Sequence, residues 1–249
     1  MITKKAIILG MFVLRPAITS WIQPVIDKTI PSTLSESIYS IEHEWSFNCR
    51  GFEGGWLIAN KNSVDAYRLA MQYALSDAVL IGTNTISIEG VRTEECPGYI
   101  WQPYALCQWD QLKYADPELE EKFASQRSHW QQLGYLSNRK YPAQIAFTWS
   151  GEHFEGSRDF LEGRIFHETL PDGRPMEVYI ITSSLGATRI RQRAAKYGLE
   201  DRIEQILIVS SPASDLGQFT TNIDLAALPT ILHDKLGMKI VNHDGGHKG

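Results

Sequence analysis

The chain has few cysteines and no excess of positive charge. Only three of its 249 residues are cysteine (Cys49, Cys96 and Cys107), and no two of them have the CxxC spacing. This odd, scattered set argues against a disulfide framework and a structural zinc site, and it favours the reducing cytoplasm. The formal net charge of -5 offers no general attraction for phosphate backbones, so we expect no nucleic-acid partner.

Long hydrophobic runs are also missing. The most hydrophobic stretch near the start covers residues 6–14, which is far too short to span a bilayer. Arg15 and Pro16 follow at once, without the small-residue cleavage site of a signal peptide. We therefore expect no membrane partner and a cytoplasmic location.

Several catalytic motifs are absent as well. The chain has no GxGxxG fingerprint after a predicted strand and no GxSxG elbow, which argues against an ordinary Rossmann site and a serine hydrolase. His243 and His247 have the spacing of metal ligands on a helix, but Gly245 and Gly246 between them make a helix unfavourable. We expect no metal site.

The residues that are present predict an α/β fold with a mainly parallel sheet flanked by helices. Strand and helix patterns alternate along most of the chain, and Gly198 and Gly237 follow two helices where a left-handed C-cap residue is typical. Strands are predicted at residues 38–47, 77–82, 144–149, 177–182, 203–209 and 238–241, and helices at 62–75, 117–133, 185–197 and 224–236.

Two segments depart from this alternation. Residues 1–36 contain three closely spaced prolines and are predicted to form an extended N-terminal arm, which leaves residues 37–249 as the α/β domain. Residues 92–140 are rich in aromatic side chains and are interpreted as an insertion between strands. Such aromatics belong to a core or an interface more often than to a base-stacking platform.

The run at residues 77–90 carries the strongest functional signal. A short apolar strand ends in Gly82, and Thr83 and Thr85 follow in a predicted turn. Ligands of open parallel sheets collect at the carboxyl ends of the strands. A second such turn, Asp244 followed by Gly245 and Gly246, comes after the last predicted strand. Spacing alone leaves two interpretations open, phosphate cradles and plain turns at the sheet edge.

Residues 77–90, read together with 139–150 and 240–246, resemble the reductase domain of the bifunctional deaminase-reductase of riboflavin biosynthesis. In that family a threonine is followed four residues later by an acid, as Thr85 is by Glu89. A later strand ends in a serine, matching Ser150, and the last parallel strand ends in an acid before glycines, matching Asp244. The similarity runs in order over residues 38–249, interrupted by the insertion.

The resemblance implies a dihydrofolate-reductase-like fold and hydride transfer from NADPH to a ring-opened phosphoribosylamino-pyrimidine. The substrate is expected to be a small, phosphorylated heterocycle. Asp244 is then the catalytic, substrate-facing acid. The residues predicted to bind the cofactor are Gly82, Thr83, Thr85, Glu89, Ser150, Gly245 and Gly246.

The chain also departs from the family pattern. The substrate loop is expected at residues 46–50, with Ser46, Asn48 and Arg50 as substrate-binding candidates, but Asn48 stands where the family has an acid. The sequence reaches Gly249 before the antiparallel strands of that fold, so the C-terminal antiparallel part is expected to be missing. Family members often form dimers, and a homodimer stays open for this chain.

Two other functions remain open at this point. A non-catalytic protein that keeps the fold and binds a nucleotide or a partner would account for the altered loop at residues 46–50. A reductase of a folate-like pterin shares the fold but usually places its acid in a helix after the first strands, and nothing in this chain matches that placement. The pyrimidine-reductase interpretation is therefore the leading expectation.

Overall fold

Parallel strands connected by helices form the framework of the protein. The computed structural model describes residues 7–10, 70–94, 98–107, 117–153, 156–212 and 219–244. The strands in these ranges are β1 (Ile7–Gly10), β2 (Ala78–Gly82), β3 (Ala143–Thr148), β4 (Val178–Thr182), β5 (Leu207–Val209) and β6 (Ile240–Asp244).

All pairs of neighbouring strands are parallel. The five strands β2 to β6 lie in the order β5-β4-β3-β2-β6, and β1 pairs with the outer side of β6. The last strand in the sequence, β6, therefore lies between β1 and β2 and is paired on both sides. The predicted α/β class with a parallel sheet is confirmed.

The helices flank this sheet. Residues 70–74 are helical and lead into β2. Helix α1 (Thr83–Thr85) starts directly after β2 and passes without a break into the π-helical turn Ile86–Gly90, so the predicted turn at Thr83 is the start of a helix. The remaining helices are α2 (Pro103–Cys107), α3 (Pro117–Gln132), α4 (Ser184–Ala194), α5 (Ile203–Ile206) and α6 (Leu228–Thr230), with a π-helical turn Ile231–Lys235 after α6 and 3₁₀ turns at Phe160–Glu162, Arg164–Phe166 and Ala195–Tyr197.

Three predicted boundaries were wrong. The strand predicted at 203–209 begins only at Leu207, because Ile203 and Ile206 bury one side of a helical turn. The helix predicted from Asp224 starts at Leu228, since the Asp224 carboxylate instead accepts hydrogen bonds from the backbone of a preceding turn. The last strand starts and ends later than predicted and includes Asp244.

Apolar side chains cover both faces of the sheet. Val79 and Ile81 of β2 belong to one buried cluster, which also includes residues of the 70–74 helix and of α4. Ala78 and Leu80 point to the other face and pack with Leu228 and other residues around α6. Successive residues of a strand face opposite sides, so a strand buried on both faces reads as a continuous apolar run.

The amino ends of the central strands are held by a buried polar network. The Asp77 carboxylate, fully buried before β2, accepts hydrogen bonds from the Ser137 backbone and hydroxyl at 2.8 and 2.6 Å. It also accepts hydrogen bonds from the backbone N–H groups of Lys239 and Ile240 at 2.7 and 3.2 Å. These contacts join the starts of β2 and β6, which assigns this edge a structural role.

Within the described ranges, no helix combines the length and the apolar character that a membrane crossing requires.

Candidate functional site

Asp244 lies at the carboxyl edge of the sheet, opposite the structural network of Asp77. It is the last residue of β6 and lies beside Ile81 of β2 in the register. Its carboxylate accepts a hydrogen bond of 2.6 Å from the hydroxyl of Tyr73. The helix before β2 thus provides a direct partner for the acid that ends β6, although the two residues are far apart in the sequence.

Aromatic side chains surround this carboxylate. Tyr73 is completely buried, and a hydrogen bond joins its hydroxyl to that of Tyr99. Trp101 is also buried, and its side chain opposes the rise in the pKa of Asp244. The rings of Tyr99 and Trp101 meet edge to face, with 4.9 Å between their centroids. Asp244 is therefore half-buried among aromatic groups that present hydrogen-bond donors to it.

The loop that carries these aromatics is fixed against the π-helical turn that follows α1. The backbone N–H of Tyr99 donates to the carbonyl of Glu89 at 2.7 Å. Gly98 has a φ of 77°, and a Cβ at this position would lie 2.8 Å from the carbonyl oxygen of Gly90. Only glycine combines this left-handed backbone with so close an approach. The approach of the loop brings Tyr99 and Trp101 to the same region as Glu89.

Gln144 of β3 fixes the other end of this loop. Its side-chain amide donates to the Trp101 carbonyl at 2.9 Å and its side-chain oxygen accepts from the Trp101 N–H at 3.2 Å. Gln144 is fully buried, and a buried amide that satisfies both backbone groups of one residue holds that residue in place. The Trp101 ring is therefore positioned by the sheet itself.

Glu89 is the second carboxyl group of the site. It belongs to the π-helical turn after α1. Burial, followed by the charge of Asp244, raises the pKa of Glu89 from 4.5 to about 7. Burial also raises the pKa of Asp244, but hydrogen bonds from Tyr73 and Trp101 and the neighbouring His243 oppose this rise. The pKa values of both carboxyl groups are therefore raised, and the charge of Asp244 contributes to the rise at Glu89.

This pair can perform proton transfer near neutral pH. A general acid or base works best when its pKa lies near the operating pH, which is the case for Glu89. The pKa of Asp244 is raised as well, because burial outweighs the hydrogen-bond donors that favour its charged form. When the surroundings of two neighbouring carboxyl groups give them different pKa values, one can act as the acid while the other is a carboxylate. The site thus offers one carboxyl group suited to proton donation near neutral pH, beside a second carboxyl group that accepts a hydrogen bond from Tyr73.

Three of the predicted cofactor residues at and after the end of β2 are partly exposed, namely Gly82, Thr85 and Glu89, whereas Thr83 is buried. Gly82 has an ordinary extended backbone, and a Cβ added to it would meet nothing closer than the Thr85 hydroxyl at 3.9 Å. Helix α1 starts without a side-chain cap on its backbone N–H groups. Gly82 and Thr85 can therefore meet a ligand.

Ser150 lies two residues beyond β3, next to the start of α4. Its hydroxyl accepts a hydrogen bond from the backbone of Glu152 at 3.2 Å, and its carbonyl accepts one from Arg189 at 3.3 Å. These contacts fix the loop after β3. The described hydrogen bonds do not connect Ser150 with the Glu89 and Asp244 pair.

The start of α4 is already satisfied by the protein. The Ser183 hydroxyl caps Gly186 at 3.0 Å, and the N–H of Leu185 donates to the carbonyl of Thr220 at 3.1 Å. The hydroxyl of Ser184 accepts from the Thr220 backbone. These contacts occupy the groups that an anion would use, so we do not assign a ligand to this helix.

The remaining predicted site residues lie outside the described ranges. They are Gly245 and Gly246, and the substrate-binding candidates Ser46, Asn48 and Arg50. Their predicted roles stay predictions.

Sequence reasoning missed Tyr73 altogether and assigned Tyr99 and Trp101 only a general core or interface role. The signal for Tyr73 is weak but present. Tyr73 lies in a predicted helix just before the strand predicted at residues 77–82, among apolar residues. The hydroxyl of a buried tyrosine usually has a hydrogen-bond partner. What the sequence could not supply is the partner, because Asp244 lies at the other end of the chain.

Comparison with known proteins leaves the family open: no model of a protein family matches the chain, and no curated protein matches it.

Proposed function

We propose that the protein is an NADPH-dependent reductase resembling 5-amino-6-(5-phosphoribosylamino)uracil reductase, with a dihydrofolate-reductase-like fold. The observation that carries the proposal is the pair of Glu89 and Asp244 at the carboxyl edge of the parallel sheet. These are two of the residues on which the sequence resemblance depends. Reduction of an imine needs a hydride donor and a proton donor, and this pair supplies the latter.

NADPH, when bound, would supply a hydride to the imine carbon of the ring-opened substrate. The start of α1 fits such a group, since Gly82 and Thr85 are partly exposed and the first N–H groups of the helix have no side-chain cap. Backbone N–H groups and a hydroxyl such as that of Thr85 suit phosphate oxygens. We therefore assign Gly82 and Thr85 to the cofactor.

Glu89 has a different role in this proposal from the one expected at first. Its proton, held near neutral pH by burial and by the charge of Asp244, passes to the substrate nitrogen as the carbon is reduced. The Glu89 carboxylate then takes a new proton from water. Asp244 orients the substrate, and its charge, when present, opposes negative charge on Glu89 and so favours reprotonation.

The test is a comparison of binding with turnover. NADPH should quench the tryptophan fluorescence of the full chain saturably, and Thr85→Ala should weaken this response. With the phosphoribosylamino-pyrimidine, Glu89→Gln should lower kcat by about 100-fold or more while NADPH still binds, because it removes the proton donor. Exposed Glu121→Gln provides the matched control.

The proposal also predicts a pH dependence. The proton donor must be protonated, so kcat should fall as the pH rises through the pKa of Glu89, which is about 7. In Glu89→Gln this alkaline decrease should be absent. A folded protein that shows no response to NADPH would rule the proposal out, and binding without turnover would favour the non-catalytic nucleotide-binding alternative.

A further inference from the structure

Tyr73 holds an unusual position for a core tyrosine. Its ring is completely buried in the apolar cluster on one face of the sheet, yet its hydroxyl reaches Oδ2 of Asp244 at 2.6 Å. A hydrogen bond from a hydroxyl to a carboxylate is among the shorter and stronger ones in proteins. Because the surrounding side chains fix the ring, the donor cannot follow the carboxylate if that group rotates.

We propose that Tyr73 is the positioning residue of this site: its buried hydroxyl holds the Asp244 carboxylate in one orientation beside Glu89. This inference rests on the proposed reductase function for its kinetic consequences. Its physical content is independent of that function, since it concerns how the Tyr73 hydroxyl affects the pKa values of the two carboxyl groups.

The groups around Asp244 come from four parts of the chain. Tyr73 belongs to the helix before β2, Glu89 to the π-helical turn after α1, and His243 to β6 itself. Tyr99 and Trp101 come from the loop before α2. Tyr73, Trp101 and His243 favour the charged form of Asp244, whereas burial opposes it. Tyr73 contacts the Asp244 carboxylate directly, through a hydrogen bond of 2.6 Å.

The two carboxyl groups are coupled, so removing the Tyr73 hydroxyl should shift them in opposite directions. Tyr73→Phe removes a donor to the Asp244 carboxylate and should raise the pKa of Asp244 by about one unit, a tenfold change in its acid dissociation constant. Asp244 then carries less charge, and it raises the pKa of Glu89 less than before. The pKa of Glu89 should therefore be lower in Tyr73→Phe than in the original protein.

The experiment is a carbon NMR titration of the Glu89 and Asp244 carboxyl groups in the full chain, assigned with Glu89→Gln and Asp244→Asn. Tyr104→Phe is the matched control. Tyr104 is also buried, in edge contact with Tyr141, and its hydroxyl has no hydrogen-bond partner among the described residues. We expect Tyr73→Phe to produce the two opposite shifts and Tyr104→Phe to leave both titrations unchanged.

A double variant separates positioning from a general disturbance of the core. In Asp244→Asn there is no carboxylate for Tyr73 to hold, so adding Tyr73→Phe should not shift the Glu89 titration further. If Tyr73→Phe moves Glu89 equally in both backgrounds, or moves both carboxyl groups in the same direction, the inference is wrong.

The kinetic readout distinguishes this inference from the proposed function. If the protein reduces the pyrimidine, Tyr73→Phe should move the alkaline decrease of kcat to lower pH, while NADPH binding stays unchanged. Unchanged titrations in an active enzyme would overturn the role of Tyr73 alone. Opposite shifts in a protein without reductase activity would overturn the proposed function and leave the role of Tyr73 supported.

Discussion

At the scale of single residues, Glu89 connects the site to the stability of the protein. Its pKa is raised from 4.5 to about 7 by burial and by Asp244, so between these pH values the folded state binds more protons than the unfolded state. Stability must then fall as the pH rises through this window and stay reduced above it. The buried carboxyl group of Glu89 therefore destabilises the fold at neutral and alkaline pH.

Glu89→Gln should for this reason stabilise the protein, but only above the window. A shift of this size corresponds to up to about 3 kcal/mol at pH 8, with little difference from the original protein below pH 4.5. Urea unfolding at both pH values measures the two free energies. Glu121→Gln, on the exposed side of α3, should change stability by less than about 0.5 kcal/mol at either pH. A gain that is equal at both pH values would contradict the argument.

The two carboxyl groups could be predicted from the sequence, whereas their partners could not. Glu89 follows a buried strand and Asp244 ends another, and strand ends are where a sequence pattern places a ligand edge. Sequence reasoning assigned Glu89 a cofactor contact and did not foresee its burial. That burial depends on the loop that carries Tyr99. Such distant packing leaves no periodic signal.

At the scale of elements, the contact between β4 and α4 depends on a glycine. Gly186 lies in the first turn of α4, and a Cβ at this position would lie 2.0 Å from the Thr182 hydroxyl and 3.0 Å from the Gly151 backbone. Thr182 is fully buried, and its hydroxyl has no hydrogen-bond partner in the described part of the chain. The helix start can approach β4 this closely only without a side chain.

Gly186→Ala should therefore destabilise the protein by about 3 kcal/mol, because the core has no room for the added methyl group. Gly82→Ala is the matched control. Its Cβ would meet nothing closer than 3.9 Å, so it should cost less than about 1 kcal/mol. Combining Gly186→Ala with Thr182→Ala should recover part of the loss, since it removes the closest atom. Equal unfolding free energies for the two single alanine variants would show that the approach of α4 is less tight.

The elements themselves were predictable where one pattern dominated. The left-handed φ of 66° at Gly198 and 64° at Gly237 confirms both predicted helix ends. The errors occurred where two patterns compete. Ile203 and Ile206 suit a strand by composition, but the backbone N–H groups of Ile203 and Ile206 donate to Leu199 and Arg202, which makes this segment helical. Propensity is a weak guide when tertiary contacts decide.

At the scale of the whole molecule, the site depends on the position of β6. This strand, the last in the sequence, pairs with β1 through Ile7 opposite Ile240 and with β2 through Ala78 opposite Val241. The sheet order that places it there could not be read from the sequence, because periodicity identifies strands without identifying their neighbours. Asp244 comes close to Tyr73 and Glu89 only because β6 lies beside β2.

Removal of residues 1–10 should consequently loosen β6 from one side. With β1 absent, the N–H groups of β6 that donate to β1 lose their partners, while those that donate to β2 keep theirs. Native-state hydrogen exchange should then accelerate at a subset of the residues from Ile240 to Asp244, because unprotected amides exchange through local opening. Strand β4, which is paired with β3 and β5, provides the internal control and should keep its protection.

Since Asp244 ends the loosened strand, the pKa of Glu89 should fall toward 4.5 in the same variant. Unchanged exchange in β6 would show that its outer edge gains no protection from β1.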